Sequence, residues 1–534
     1  VSKTKTGSDL RADVPAIDMQ GICKAFGQVQ ANSDICFSVR KGEIHALLGE
    51  NGSGKSTLMN ILSGIYQPDA GSVHVYGQQV FFRSPRDSIK RGIGMIHQHF
   101  KLVEHMTALE NIIAGTGQGL RLNKKQARIR ISEFSEKFDM AVEPDRLVSD
   151  MSVGEKQAVE ILKVLYRGAD ILVLDEPTAV LTPQEIRKLF KIMGRMREQG
   201  KAVVFISHKL NEVREMSDRI TVLHKGRTVA TVDTASLSAD ALIELMVGRK
   251  VDLAINRPRV VSDGVCLRVE NLTVQDIDGV KKLDEVSFEL NHGEILGVAG
   301  LAGSGQKELC ETIAGLINPA AGSISFHDKN IVGLSPREII SLGISMSFIP
   351  EDRLGMGLVA SMDIADNIML KDYAFHKGPM LQRRIARKKA DNIVKQLDIQ
   401  TPGIFHTVSK LSGGNIQKVI LGREINLNPK LLITAYAVRG LDINSSHTIY
   451  NLLNEQKMKG VAVLYIGEDL DVLLDLCDRV MVMCQGQVTG IADARKISKD
   501  QVGLMMTGLT YREAVNSVKT DSMVNESGKG AGAR

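Results

Sequence analysis

The sequence predicts an α/β fold used twice, as two tandem domains each built on an open sheet with flanking helices. Three observations carry this reading. The punctuation of the chain occurs twice in the same order. Its most apolar runs, such as 171–174 and 461–466, are short and β-rich, which suits buried strands. In both halves a glycine-rich loop follows such a strand and leads into a helical pattern.

The elements recur in order. GEIHALLGENGSGKST (42–57) is echoed by GEILGVAGLAGSGQKE (293–308), MSVGEKQAVEIL (151–162) by LSGGNIQKVIL (411–421), and ILVLDEPTAVLT (171–182) by LLITAYAVRGLD (431–442). Lys55 thus pairs with Gln306, Ser152 with Ser412 and His208 with Glu468, at a nearly constant offset. A constant order at a constant spacing marks a duplicated domain. The expected boundaries are 14–250 and 262–510, with a helix-rich insertion between the glycine loop and the MSVGE motif of each half. The tail, 511–534, is rich in Ser, Gly, Lys and Asn towards its end and is expected to be disordered.

Composition excludes several classes. At 534 residues the chain exceeds one hydrophobic core. Its 43% hydrophobic and 24% charged content is that of a globular protein. No run approaches the roughly 18 to 20 apolar residues that a membrane helix needs. The start, 1–9, is polar, so no secretory signal is expected. Six cysteines form no CxxC pair and read as reduced thiols. A net charge of +5 is too small at this length to imply nucleic acid. The basic stretches 121–130 and 382–389 read as solvated helix faces, with contact to anionic lipid or a partner as the alternative.

The first half carries a complete phosphate site. Gly49-Glu50-Asn51-Gly52-Ser53-Gly54-Lys55-Ser56, followed by Thr57, fits G-x-x-x-x-G-K-[ST]. It follows a strand at 44–48 and opens a helix at 55–63, the context the motif requires. Glycines let backbone N–H groups wrap phosphate oxygens, aided by the helix dipole. Lys55 supplies a point charge, and the Ser56 hydroxyl can ligate Mg²⁺. The strand at 171–174 ends in Asp175-Glu176, and an acid at a strand's carboxyl end lies beside the phosphate loop. Asp175 suits Mg²⁺ and Glu176 suits polarising an attacking water.

With Gln98, Ser152-Val153-Gly154-Glu155 and His208 added, the set resembles an ABC ATPase domain. The resemblance implies two tandem P-loop domains, each a RecA-like α/β core with an antiparallel β subdomain and a helical subdomain. It also implies ATP and Mg²⁺ as cofactors. Lys55, Glu176 and His208 take catalytic roles, His208 being the switch histidine near the γ-phosphate. Gln98 senses Mg²⁺ and the permease, Phe26 in KAFGQVQA stacks on adenine, and Ser56, Gln98 and Asp175 form the metal set.

The second half has lost this chemistry. Gln306 and Lys307 replace the Lys and Ser, Ala435-Tyr436 replaces Asp-Glu, Glu351 stands for the glutamine and Glu468 for the histidine. Its signature Ser412-Gly413-Gly414 and its D-loop Asp442 are nevertheless intact, whereas the first half has Val153 and Thr182 there. In ABC dimers each nucleotide lies between one domain's phosphate loop and the other's signature. The resemblance therefore implies one complete composite site, drawing Ser412, Gly413, Gly414 and Asp442 from the second half.

The resemblance covers 17–509 and is strongest to fused ATPase subunits of simple-sugar and nucleoside importers. IPEDR (349–353), LSGGN and RGLD carry it in the second half. IHQHFKLVEHMTALENI (96–112) points to the nucleoside branch. Two transmembrane permease subunits, an indirectly acting solute-binding protein, no nucleic acid, and a peripheral position on the cytoplasmic face of the cell membrane are then expected. A soluble tandem translation factor would keep both sites competent and carry a long charged linker. A non-hydrolysing nucleotide scaffold would not need the complete first-half set.

Overall fold

The computed structural model describes residues 14–27, 29–98, 100–116, 123–207, 209–248, 255–259, 264–348, 357–372 and 381–518, and the side chains of all of these except 347, 348 and 372. The chain divides into two compact units after residue 252.

In the first unit the strands are β1 (Ile17–Phe26), β2 (Val29–Val39), β3 (Ile44–Gly49), β4 (Ala70–Val75), β5 (Gln78–Val80), β6 (Ile93–Ile96), β7 (Ile171–Asp175), β8 (Ala202–Ile206), β9 (Arg219–His224) and β10 (Arg227–Asp233). They form an antiparallel sheet in the order β2-β1-β4-β5 and a six-stranded sheet in the order β6-β7-β8-β3-β9-β10. The latter is parallel apart from β10, which returns antiparallel to β9. Strand β3 is buried along its whole length, as expected of a central parallel strand covered on both faces.

The second unit repeats this with β11 (Val265–Gln275), β12 (Lys281–Asn291), β13 (Ile295–Gly300), β14 (Ala321–Phe326), β15 (Lys329–Asn330), β16 (Ile344–Phe348), β17 (Leu431–Ala435), β18 (Ala462–Ile466), β19 (Arg479–Cys484) and β20 (Gln487–Asp493). The sheet orders are β12-β11-β14-β15 and β16-β17-β18-β13-β19-β20, the same topology as in the first unit. The duplication read from the motifs is thus a duplication of fold.

Both expected insertions are helical. The first holds helices Ala108–Ile113 and Lys124–Phe138 and leads into the signature helix Val153–Tyr166, and the second holds Ile364–Asp372 and Arg383–Gln396 and leads into Gly413–Ile425. In the second unit Glu424, fully buried, accepts hydrogen bonds from Lys371 at 2.8 Å, Arg423 at 2.9 Å and Ser345 at 2.5 Å. These bonds tie the helical insertion to edge strand β16. Burial opposes ionisation of this carboxyl, but Lys371, Arg423 and the hydrogen bonds outweigh it and hold it below the usual carboxylate range.

The basic helix Arg383–Gln396 is a solvated face, with Arg383, Arg384, Arg387 and Lys388 exposed and Ala386 and Ala390 buried. All six cysteines are free, and burial pushes the Cys266 thiol up to about 12, which keeps it unreactive. One boundary is corrected. Residues 511–518, counted above with a disordered tail, are helical, and Ala514 is fully buried in the core of the second unit. Its contact with that core holds the segment, a constraint that local composition does not register. The rest of the tail, 519–534, lies outside the described residues.

Candidate phosphoryl-transfer site

The phosphate loop joins β3 to helix Lys55–Leu62, and its glycines are required by space. Gly54 caps the helix at φ 96°, and a Cβ there would lie 2.4 Å from Asn32 Nδ2 and 2.5 Å from the Ala31 carbonyl. A Cβ on Gly49 would meet the Leu223 carbonyl at 2.3 Å. The outer side of the loop is open, since nothing lies within 4 Å of a Cβ built on Gly52. Asn51 and Ser56 are exposed, Glu50 and Thr57 are half-buried, and the Ser53 hydroxyl is buried without a protein partner. A glycine cradle with an unpaired hydroxyl at its floor fits a phosphate. Lys55 is buried, and its Nζ donates to the Gly49 and Glu50 carbonyls at 2.8 Å each. Burial lowers its basicity, partly offset by the charges of Glu176, Asp175 and Glu50.

Those acids arrive on β7. Asp175 ends the strand and its carboxylate is bonded by the Ser56 side chain; burial, with Glu176 beside it, pushes its pKa up to about 6 against the pull of Lys55 and Ser56. Glu176 sits in the left-handed region at φ 47°, and its N–H donates to the Ile206 carbonyl at 3.1 Å. Its carboxylate is held by Gln98, whose Nε2 donates to Oε2 at 3.1 Å. The structure therefore brings Lys55, Ser56, Asp175, Glu176 and Gln98 together. Ser56, Asp175 and Gln98 supply oxygen donors beside an oversupply of negative charge, a set that suits a hard divalent cation. His208 lies outside the described residues.

Phe26 ends β1 with 43% of its surface exposed, its ring edge-on to Tyr66 at 5.2 Å and 5.7 Å from Lys24 Nζ. An exposed aromatic with an open face can take a flat ring. Two residues of this region carry no signal in the sequence. Asn32, buried on β2, donates to the Gly54 carbonyl at 3.1 Å and pins the loop from beneath. Tyr66 meets Phe26 across 40 positions of chain. Neither belongs to a motif.

The second unit keeps the shape of this site without its groups. Gly305 caps helix Gln306–Ile313 at φ 99°, Gln306 is buried with its amide on the Leu301 carbonyl at 3.3 Å, and Lys307 is exposed. Tyr436 has φ 57° and donates its N–H to the Ile466 carbonyl at 2.9 Å, repeating the backbone of Glu176. Burial, with Glu468 nearby, pushes the Tyr436 hydroxyl up to about 12, so this group holds its proton at neutral pH. The strained turn belongs to the fold; the base does not accompany it. Glu351 lies outside the described residues, and Glu468 sits 3.6 Å from Arg439.

Both signature motifs open helices. Ser152 caps Val153–Tyr166, and Ser412 caps Gly413–Ile425. Ser412 Oγ accepts from Asn415 Nδ2 at 2.9 Å, and an accepting hydroxyl keeps its own proton to donate. Asp442 caps helix Ile443–Met458, accepting from Ser445 N at 2.8 Å.

A family model described as ABC transporter matches residues 32–179 and 283–434. Among curated proteins, the chain is 43% identical over 509 residues to the nucleoside import ATP-binding protein NupA of Lactococcus lactis, covering 94% of this chain and 100% of that one. It is 41% identical to the guanosine import ATP-binding protein NupO of Bacillus subtilis, covering 93% and 98%. To the glucose import ATP-binding protein TsgD13 of Haloferax volcanii it is 38% identical, covering 92% and 96%.

Proposed function

The chain belongs to the ABC transporter family as a tandem import ATP-binding protein, and on that footing we propose that it hydrolyses ATP at a single composite site to drive nucleoside uptake. One observation carries the single-site reading. Lys55, Ser56, Asp175 and Glu176 occur in the first unit, Ser412-Gly413-Gly414 and Asp442 in the second, and every altered part falls on the complementary pairing. Random loss has no reason to sort in this way.

In this reading the loop 49–57 cradles the phosphates, with Lys55 moving its ammonium from the loop carbonyls to the β- and γ-phosphate oxygens. Ser56, Asp175 and Gln98 would hold Mg²⁺, which supplies Lewis-acid charge to those oxygens. Glu176, held by Gln98, accepts the proton of the attacking water. The switch role is assigned to His208 by its place in the motif order alone, and Phe26 stacks on adenine. Ser412 and the N–H groups of Gly413 and Gly414 close on the γ-phosphate from the other unit, beside Asp442.

Coupling to two membrane permease subunits is supported by a feature that occurs twice. Buried Asn111 bonds to both backbone groups of Val103 at 2.7 and 3.0 Å, and buried Asn367 does the same to Val359 at 2.8 and 3.1 Å. Each loop is thereby fixed while Val103 and Met106, or Val359 and Met362, stay exposed. Beside the second lies a groove lined by Asp363, Asp366, Arg383, Arg387 and Phe405. No described helix is long and apolar enough to cross a membrane, so the membrane path belongs to other chains. One fused chain per permease pair, on the cytoplasmic face of the membrane and served by a solute-binding protein, completes the assembly. The nucleoside preference draws on NupA and NupO. Stimulation of ATP turnover in the reconstituted transporter by a nucleoside, and not by ribose or galactose, is the expected result. The reverse pattern overturns the solute assignment.

A further inference from the structure

The two signature helices begin alike and differ in what their own unit has placed on their first N–H groups. These groups have no partner within the helix and attract anions. In the first unit, Gly154 N–H donates to Glu185 Oε1 at 3.2 Å. The other oxygen of Glu185 accepts from Thr182 N and Oγ1 at 2.9 Å each, so the carboxylate spans the end of its own helix and the signature. The fit is tight: a Cβ on Gly154 would lie 2.4 Å from Glu185 Oε1. A second acid, Glu155, accepts from Ser152 N at 2.7 Å and is paired with Arg146 at 2.6 Å.

In the second unit Ser445 stands at the position of Glu185, and Asn415 at that of Glu155. A carboxylate stands near here too, but Asp442 accepts from Ser445 N and Oγ at 2.8 Å each, and its Oδ2 lies 3.9 Å from a Cβ built on Gly414 without a bond to Gly414 N–H. Ser445 Oγ lies 3.6 Å from a Cβ built on Gly414 and brings no charge to it. Among the described residues none accepts from Gly414 N–H.

We propose that Glu185 is a specificity-determining residue that closes the first unit's signature to a nucleotide γ-phosphate, and that a neutral residue at the equivalent Ser445 leaves the second unit's signature open. A carboxylate already bonded to Gly154 N–H takes the donor a phosphate would use and repels the phosphate by like charge. The substitution of Val153 within the motif is then secondary. This inference rests on the composite-site reading, in which the second unit's signature serves the ATP held by Lys55.

The test moves the carboxylate to the open signature. Ser445→Glu, compared with its neutral isostere Ser445→Gln, is assayed in the full chain within the assembled transporter for ATP turnover and for ATP binding. The Gln amide can still donate to Asp442 whereas the Glu carboxylate repels it, so the pair is also compared in an Asp442→Thr background, which reproduces the Thr182–Glu185 arrangement and leaves charge as the difference at Gly414. Ser445→Glu is expected to lower turnover by about 10- to 100-fold with ATP affinity little changed, while Ser445→Gln stays within about threefold of wild type. Glu185→Gln, whose amide oxygen keeps the cap, is expected to leave turnover within about twofold. Equal turnover of the two Ser445 variants, at any level, overturns the proposal, as does a tenfold loss in Glu185→Gln. Ser412→Arg in the same assay separates the two ideas: if it abolishes turnover while Ser445→Glu does not, the proposal falls and the composite site stands. If neither variant loses activity, the composite site itself is wrong and the proposal falls with it.

Discussion

Placing arginine at each of the two signature serines perturbs the halves equally in structure and unequally in chemistry. Ser412 and Ser152 each cap a helix, at φ −65° and −63°, and each side-chain oxygen accepts from the third residue of its helix. Losing either cap costs about 0.5 to 2 kcal/mol of stability, so the two variants should unfold at similar temperatures. Turnover should separate them. Ser412 faces the γ-phosphate held by Lys55 in the proposed site, where a hydrogen bond to a charged group contributes about 1.5 to 3 kcal/mol and the helix N-terminus about 0.3 to 2. Removing the hydroxyl and filling the phosphate position with arginine forfeits both, which is a loss of about 20- to 4,000-fold at about 1.4 kcal/mol per decade. In the same proposal Ser152 is paired with the degenerate second-unit loop that carries Gln306, so Ser152→Arg should stay within about threefold of wild type. The assay is steady-state ATP hydrolysis by the two variants in the assembled transporter, alongside their melting temperatures. Equal losses, or a larger loss at Ser152, would refute the composite site.

Three further outcomes follow from the geometry. Glu176→Gln keeps an oxygen for Gln98 to bond and leaves Lys55 in place, so ATP binding should persist while turnover falls by about 10² to 10⁴; more than half the wild-type rate would remove Glu176 from the role of base. Gln306→Lys should restore no second-site hydrolysis, because Ala435 and Tyr436 still stand where the acids are needed, as counting phosphate released per bound ATP in single turnover would show. Glu424→Gln leaves Lys371 and Arg423 facing a neutral amide in the interior and should destabilise the second unit by about 3 to 5 kcal/mol at pH 7, measured by calorimetry. The folded pKa of Glu424 is depressed, so its contribution is full above the ordinary carboxyl value of 4.5 and is lost as pH falls through the lower folded value. The gap between variant and wild type should therefore narrow as the solution is acidified.

Much of this was legible from residues alone, because the constraints involved are local. A phosphate loop needs glycines at fixed spacing between a strand and a helix, and Gly54 and Gly49 meet carbonyl oxygens that no Cβ could approach. Asp175-Glu176 follows a wholly apolar run, so its place at the carboxyl end of the sheet's strands follows from the pattern. The duplication was legible for the same reason, since order and spacing survive after the chemistry has been replaced. What tertiary structure decided are contacts between residues far apart in sequence. Asn32 under the loop, Tyr66 against Phe26 and the Glu424 cluster join elements that no local period links. The helical segment 511–518 is held by a core it meets only in the fold. Glu185 shows the division most clearly. Its position three residues after Thr182 is a capping pattern any reader of the sequence can find. That its second oxygen lands on Gly154, 31 residues away, depends on two helices being brought end to end by the sheet.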